Sequence, residues 1–478
     1  MVRSKGYVTV FISLVLVIMI VVVLVVLEVC DRNHARIKMS TALSSAMSSE
    51  LANYNRYIYD RYHILLLDTH SSGGSEGAME QSVEDTLNTD LTTEYKVESV
   101  ELTNKVYITD NNCKEFKKQI KENFKYEAAE NIVEKIMDKA EGNDSPVDEE
   151  MVEGIDEDIK SRQEEIEISE EESKDDKKKK SKKDEEDVTD PREALKTYTD
   201  AGIASLLLPS DVTFKEEELA LDKLPSGGNS NDENMMIDTT FSDKDHMEAD
   251  GLKSGGWGSL ITDKAGSLSY ANEYFNSLTE HKYDDTCLNL EKEYLIAGKS
   301  SDGENYKAVV NEILVIRFGF NFGYIVTDTA KMGECEALAA ALTVEFPPLE
   351  PVVKYLLAGC WSYIESVADV YMLLRNHKIP YIKDVTSWRT DFESLAHLEE
   401  LSEEADEEQG LAYNDYLIIL AGMQGDKLEL RMLDLIQENT KRNSDKSFMI
   451  KNCITSFGIN TDFSYKGRHY SYHEETGY

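Results

Sequence analysis

The chain has 478 residues, enough for one large domain or two to three ordinary ones, and 41% of them are hydrophobic, so a buried core is expected. Its 92 acidic residues outnumber 51 basic ones, a formal net charge of −41. That balance argues against nucleic acid and against anionic lipid surfaces as partners, since both are polyanions. The cysteines are scattered without a CxxC, which excludes a zinc knuckle or a thioredoxin-like motif. Cys335 and Cys360 lie in apolar helical contexts and read as small core residues. Disulfides in an exported domain stay open, because the spacing names no pairs.

Met1 to Gly6 is a short basic leader. From Tyr7 to Leu27 no residue is charged, and Val, Leu and Ile dominate. At a rise of 1.5 Å per residue this run spans roughly 30 Å, the thickness of a bilayer core. A cleaved secretory signal is disfavoured because Leu27-Glu28-Val29-Cys30 offers no small-residue cleavage site. Glu28 and Val29 also make Cys30 a poor lipidation site. Cleavage after Gly6 fits a prepilin-type signal, although Phe11 stands where pilins carry a glutamate. Arg3 and Lys5 precede the run, while Arg32, Arg36 and Lys38 follow it, so flanking charge is nearly balanced. The expected location is the cell membrane, single-pass, with a cytoplasmic N-terminus and an extracytoplasmic C-terminal domain.

Residues 28–68 are expected to continue this helix as a membrane-proximal stalk. Met39, Leu43, Met47, Leu51, Tyr54 and Ile58 recur at steps of three or four and form one apolar stripe. The stripe serves packing on the protein's own domain or self-association. His70 to Gly77 reads as a turn region, and Tyr95 to Thr109 as two short strands or a hairpin. Helical spacing returns from Cys113 to Ala140. Residues 91–141 therefore read as a strand pair and a helix.

Residues 144–190 are dominated by Glu, Asp and Lys and contain no aromatic residue, so they are expected to be a disordered charged insertion. Residues 191–208 read as a helix and 209–258 as a flexible loop. Residues 259–465 read as a helical core with C-terminal strands. Its helices are expected at Leu260–Thr279, Glu291–Ala297 with a turn at Gly298, Tyr306–Tyr324, and Lys331–Val344. Val352–Asn376 then forms a hairpin with Lys331–Val344 through Phe346-Pro347-Pro348. Tyr413–Leu420 and Lys427–Asn439 complete the set. Phe448 to Tyr465 alternates as a strand, and residues 466–478 read as a loose tail. The fold class is α+β, mainly α. A long N-terminal transmembrane-plus-stalk helix precedes a helical core, and a small antiparallel sheet joins segments near 91–110 and 447–465.

Chemistry-bearing motifs are sparse. There is no GxSxG, P-loop, HExxH or EF-hand loop. The acidic and His residues from Asp243 to Asp250 lack calcium-loop spacing and read as solvated loop charges. His469 and His473 near the terminus read as a weak ligand pair without a supporting shell. No metal or cofactor is expected. Inside apolar helices, Arg317 lies one turn from Asn321, and Glu365 one turn from Asp369. Buried charges must be paired, so Arg317 is expected to meet Glu293, Glu365 or Asp369.

Several segments together carry a likeness. They are Gly6-Tyr7-Val8-Thr9-Val10-Phe11 with the apolar helix, Tyr54 to Asp68, Glu293 to Gly298, Arg317 to Asp328, the Glu365/Asp369 helix, Trp388, and Arg431 to Ile436. The chain resembles an uncharacterised family of single-pass membrane proteins of Gram-positive anaerobes, associated with tight-adherence (Flp-type) pilus loci. The resemblance implies a location and a neighbourhood rather than a mechanism. The expected function is a non-enzymatic, membrane-anchored surface protein, an accessory or assembly component of a Flp-type pilus or secretion system. Its partners would be the bilayer and pilus or secretion-system proteins, with self-association through the stalk and no nucleic acid. The alternatives are a membrane-tethered sensor with a ligand pocket between Glu291 and Asn439, and an enzyme working through Glu365 and Asp369.

Overall fold

The computed structural model describes residues 5–70, 76–123, 202–227, 264–344, 346–391 and 410–478. These form the expected mainly α, α+β protein, divided into two units: Met1–Gln119 with Ser444–Tyr478, and Ile120–Asn443. The charged insertion at 144–190, most of the helix expected at 191–208, and the acidic stretch at 243–250 lie outside the described residues.

In chain order the first unit holds α1 (Lys5–Leu51), α2 (Arg56–Tyr62), β1 (Leu67–Asp68), α3 (Glu76–Asp90), β2 (Tyr95–Tyr107), the start of α4 (Asp110–Asn123), β3 (Cys453–Tyr465) and β4 (Arg468–Gly477). In α1 the side chains from Tyr7 to Leu27 are exposed, and the helix is long and apolar enough to span a membrane, its most apolar 18-residue stretch having a mean hydropathy of 3.7. From Ala35 onward the same helix becomes amphipathic. Ala35, Met39, Ala42, Leu43, Ala46 and Met47 are buried against Met79, Val83 and Leu87 of α3 and Ile454, Phe457, Ile459 and Phe463 of β3. The sequence reading gives no element at α3, although Met79, Val83 and Leu87 recur every fourth residue.

The stalk helix does not run unbroken to Asp68. It stops at Leu51, although no Gly or Pro stands there. Asn55 reverses the chain: its side chain accepts from the Ile58 amide at 3.1 Å and caps α2, while its own amide donates to Leu66 O at 3.0 Å. A side-chain cap and a long-range backbone bond outweigh continued helical propagation.

β3 is the central strand. Ile454 pairs with Tyr107 on one edge and Leu67 on the other, and Ile459 pairs with Leu102 and Glu474. A strand has only two edges, so β2 covers one and β1 followed by β4 the other. All pairings are antiparallel. Tyr95 to Tyr107 is therefore one strand rather than a hairpin, bent where the register shifts around Asn104, whose φ is 47°.

The C-terminal segment is not loose. Arg468–Gly477 is strand β4, paired along β3 from Tyr465 to Ser456. Its turn has positive φ at both central residues, Lys466 (49°) and Gly467 (76°), as a two-residue hairpin turn matching strand twist requires. Tyr470 and Tyr472 alternate inward onto the α1 core and anchor the strand.

The second unit holds α5 (Ile203–Leu207), α6 (Ala265–Tyr274), α7 (Glu291–Ala297), α8 (Asp302–Thr327), α9 (Thr329–Leu342), α10 (Glu350–Leu373), α11 (Tyr413–Gly422) and α12 (Lys427–Asn443). Local signals set many boundaries. Ser301 caps α8, and Asp328 caps α9 by accepting from the Ala330 and Lys331 amides. Gly298 ends α7 at φ 62°. Phe346-Pro347-Pro348 separates α9 from α10 as expected. The most apolar 18-residue stretch of α8 has a mean hydropathy of 1.4, but 56% of it is buried; it is a core helix. The described part of the expected loop at 209–258 is ordered. Leu224 and Pro225 are buried there, and the Ser226 amide donates to Asp434 Oδ1 at 3.0 Å.

Candidate functional site

α8 carries Arg317 and Asn321 one turn apart, and α10 carries Glu365 and Asp369 one turn apart. Packing the two helices against one another brings these polar faces together inside an apolar unit. The Arg317 guanidinium lies 2.8 Å from Asp369 Oδ2, with both side chains fully buried. Arg317 also donates to Pro380 O and Tyr381 O, each at 2.9 Å, and to Tyr416 Oη at 3.2 Å. Asn321 donates to Ser366 Oγ and Asp369 Oδ2, each at 3.0 Å. Of the three partners expected for Arg317, the structure selects Asp369.

Glu365 takes a different cation. Lys383, from the segment after α10, pairs with Glu365 and lies 2.6 Å from Asp369 Oδ1. Glu365 Oε2 also accepts from the Thr390 amide at 2.8 Å and the Thr390 hydroxyl at 2.6 Å. Trp361 and Trp388 close the cluster, both donating to Thr390 O, at 3.0 and 3.1 Å. Two cations thus face two carboxylates. Burial alone would raise the Asp369 pKa, but the charges of Arg317 and Lys383 prevail and hold it below the ordinary range. Burial likewise opposes the Arg317 charge, and Asp369 and Tyr416 outweigh it, so its pKa is raised. Sequence reasoning missed Lys383; the signal available was a lone lysine after the apolar Ile379-Pro380-Tyr381-Ile382.

Glu293 does not join this network. Its Oε1 accepts from the Leu278 amide and the Tyr413 hydroxyl, each at 3.0 Å, while its Oε2 has no hydrogen-bond partner among the described residues. Burial pushes its pKa up to about 7. Asp434 sits in a comparable setting, accepting from Tyr294 Oη at 2.7 Å, and burial pushes it up to about 6. Arg431 donates to Leu295 O at 2.8 Å and Ile296 O at 2.5 Å, meeting the carbonyl end of α7.

Chemically, the four buried charges cross-tie α8, α10 and the segment at 379–391. The side chains of Arg317, Glu365, Asp369 and Lys383 have no exposed surface. Among the described residues no three His, Cys, Asp or Glu side chains gather as a metal site. Cys113, Cys287, Cys335 and Cys453 are buried, Cys360 is half-buried and Cys30 is exposed.

The stalk residues behave differently. Met39, Leu43, Met47 and Ile58 are buried, while Leu51 and Tyr54 are half-buried. The Met39–Leu43–Met47 face is filled by α3 and β3 of the same chain. Gly6 lies in the first turn of α1. His469 and His473 project outward from β4, bonded to Glu98 at 2.8 Å and Asn460 at 2.7 Å. Beside them lies a surface groove lined by Arg36, Ile37, Ser40 and Thr41 of α1 and by His469 to Tyr472 of β4.

Residues 179–465 match a family of unknown function, DUF5702, and the chain belongs to that family. No curated protein and no solved structure matches it.

Proposed function

We propose that this is a non-enzymatic, membrane-anchored protein that acts by presenting its folded domain to protein partners at the membrane surface. The observation that carries the reading is the continuity of α1. Its exposed apolar run passes without a break into a segment whose Met39, Leu43 and Met47 are locked into the core of the first unit. A continuous helix embedded at both ends transmits position, whereas a flexible tether would not. Further support comes from the buried charges of the second unit, which are engaged with one another.

On this reading the N-terminus is cytoplasmic and the C-terminal domain extracytoplasmic. The finer assignment, an accessory or assembly component of a Flp-type pilus or secretion system, draws on the sequence resemblance. The test is a crosslinked pull-down from native membranes through a tag at Tyr478, with protease accessibility of that tag in intact cells. Pilus subunits or their membrane platform among the recovered proteins would support the assignment. Recovery of the protein alone would sink the pilus assignment, and a protected tag would sink the orientation.

A further inference from the structure

α8 is a core helix whose outward side is as apolar as its inward one. A helix that packs on one side normally turns polar residues to water, yet only 56% of the most apolar 18-residue stretch of α8 is buried. Val315 is 53% exposed, and Phe318 and Phe322, one and two turns further on, are half-buried. α10 runs antiparallel beside it, because Arg317 meets Asp369 while Asn321 meets Ser366. Its outward residues are of the same kind: Val352 and Leu356 are 39% and 49% exposed, and Tyr363 is half-buried. The Phe318 ring stacks on Phe322 at 5.8 Å and meets the Tyr363 ring edge-on at 6.5 Å, so the two helices present one continuous face. In the turn that leads into α10, Phe346 and Leu349 are 57% and 47% exposed.

At roughly 150–250 Å² for a whole aromatic side chain and less for an aliphatic one, this face leaves on the order of 600 Å² of apolar surface open. That is the upper end for the largest patch on a monomer, and the lower end of the roughly 600–1,000 Å² that each partner gives to a stable dimer. The face carries no exposed charge. From Val315 to Val326 the one charged residue is the buried Arg317, and from Val352 to Tyr363 it is Lys354, whose 15% exposed side chain is tied to Glu336 of α9 at 2.9 Å. On a chain of net charge −41, two copies repel each other least across such a face, since charges more than about 10 Å away are screened. Its relief also matches itself. A Cβ built at Gly319 or Gly359 would meet no neighbouring side chain or other element within 4 Å, so each helix has a hollow one turn from the projecting Val315 or Leu356. An isologous interface needs bump and hollow on the same surface, whereas lipid needs neither.

We propose that the α8–α10 face is an isologous interface with a second copy of this chain, in which Val315 and Leu356 of one copy seat over Gly319 and Gly359 of the other. The pairing goes beyond the membrane-anchored reading and does not depend on it. It also leaves the stalk aside, because the Met39–Leu43–Met47 side of α1 is filled within its own chain.

The test is the molar mass of the full-length protein in a mild non-ionic detergent, measured by light scattering over a dilution series. The parent is expected at the mass of two chains. Val315→Glu and Leu356→Glu change half-exposed side chains that the fold of one chain does not bury. Each is expected to raise the dissociation constant at least about tenfold, since it would place an unpaired carboxylate between the copies, and the two together to give the mass of one chain. Gly359→Leu fills a hollow while favouring the helix; it is expected to weaken the dimer without lowering the melting temperature, so that loss of pairing is separated from loss of fold. A monomeric parent overturns the proposal. A dimer that survives both glutamates also overturns it and assigns self-association to α1 or another surface. Monomers whose α10 amides are protected from exchange only in liposomes would give the face to lipid, and would overturn the proposal as well.

Discussion

Replacing Asp369 with asparagine keeps the shape of the side chain and deletes one charge from a fully buried group of four. Arg317 and Lys383 would then face Glu365 alone, leaving one uncompensated positive charge inside the second unit. Removing one partner of a buried pair costs about 3–5 kcal/mol, because the remaining charge stays desolvated. The introduced amide still offers an acceptor to Arg317, so the lower half of that range is expected. The double variant Arg317→Met with Asp369→Asn restores neutrality, since Lys383 and Glu365 remain paired. It is therefore expected to be more stable than the sum of the single effects by about 1–3 kcal/mol. It does not regain parental stability, because Pro380 O and Tyr381 O lose the Arg317 donor. The measurement is denaturant unfolding of the full-length protein in detergent, read by tryptophan fluorescence, since Trp361 and Trp388 border the cluster. The pH dependence has a definite sign. Asp369 is held below its ordinary value of 3.8, so its stabilisation is complete above that value and is lost as pH falls through the lower folded value. The gap between parent and D369N should narrow only under strong acid. A single variant within about 0.5 kcal/mol of the parent, or strict additivity in the double, would refute the reasoning.

Leu43→Ala truncates a fully buried residue of α1 and is expected to cost about 2–5 kcal/mol, measured as faster hydrogen exchange of buried β3 amides; exchange matching the parent would mean that the stalk face is not core. Glu293 behaves oppositely to Asp369. Its pKa rises from 4.5 to about 7, so the folded state disfavours its charge and loses stability as pH rises across that window. Glu293→Gln should therefore raise the melting temperature at pH 8 and leave it nearly unchanged at pH 4, and an equal effect at both would show that the carboxyl is not titrating there. Gly298→Ala places a Cβ at φ 62°, 2.6 Å from Arg431 Nη2; a loss of at least about 1 kcal/mol in unfolding free energy is expected, and a neutral result would contradict the left-handed cap.

Local chemistry was legible before any fold was known. An uncharged run from Tyr7 to Leu27 makes a helix of membrane length wherever it is placed. Pro347-Pro348 breaks a helix by sterics and a missing donor. Gly298 closes α7 because only a residue without a Cβ takes that conformation cheaply. The pairing of the 95–107 segment with 453–465 followed from two alternating stretches near opposite ends of the chain.

Other features depended on contacts between residues far apart in sequence. Periodicity along α1 continues past Leu51, yet Asn55 turns the chain because Leu66 supplies it a backbone partner. The polar segment after Gly467 becomes a strand because β3 offers a free edge and α1 a surface for Tyr470 and Tyr472. Arg317 had three candidate carboxylates on two other helices; the crossing of α8 and α10 chose Asp369 and left Glu365 to Lys383. Glu293, which reads like the others in sequence, was left with one oxygen unpartnered among the described residues. Side-chain spacing reports what one element presents, whereas burial and pairing are set by what other elements bring to that surface. For that reason the sequence alone determined where an apolar helix of membrane length and most other helices lie, and only the tertiary structure decided which charges meet and which face of α1 is filled.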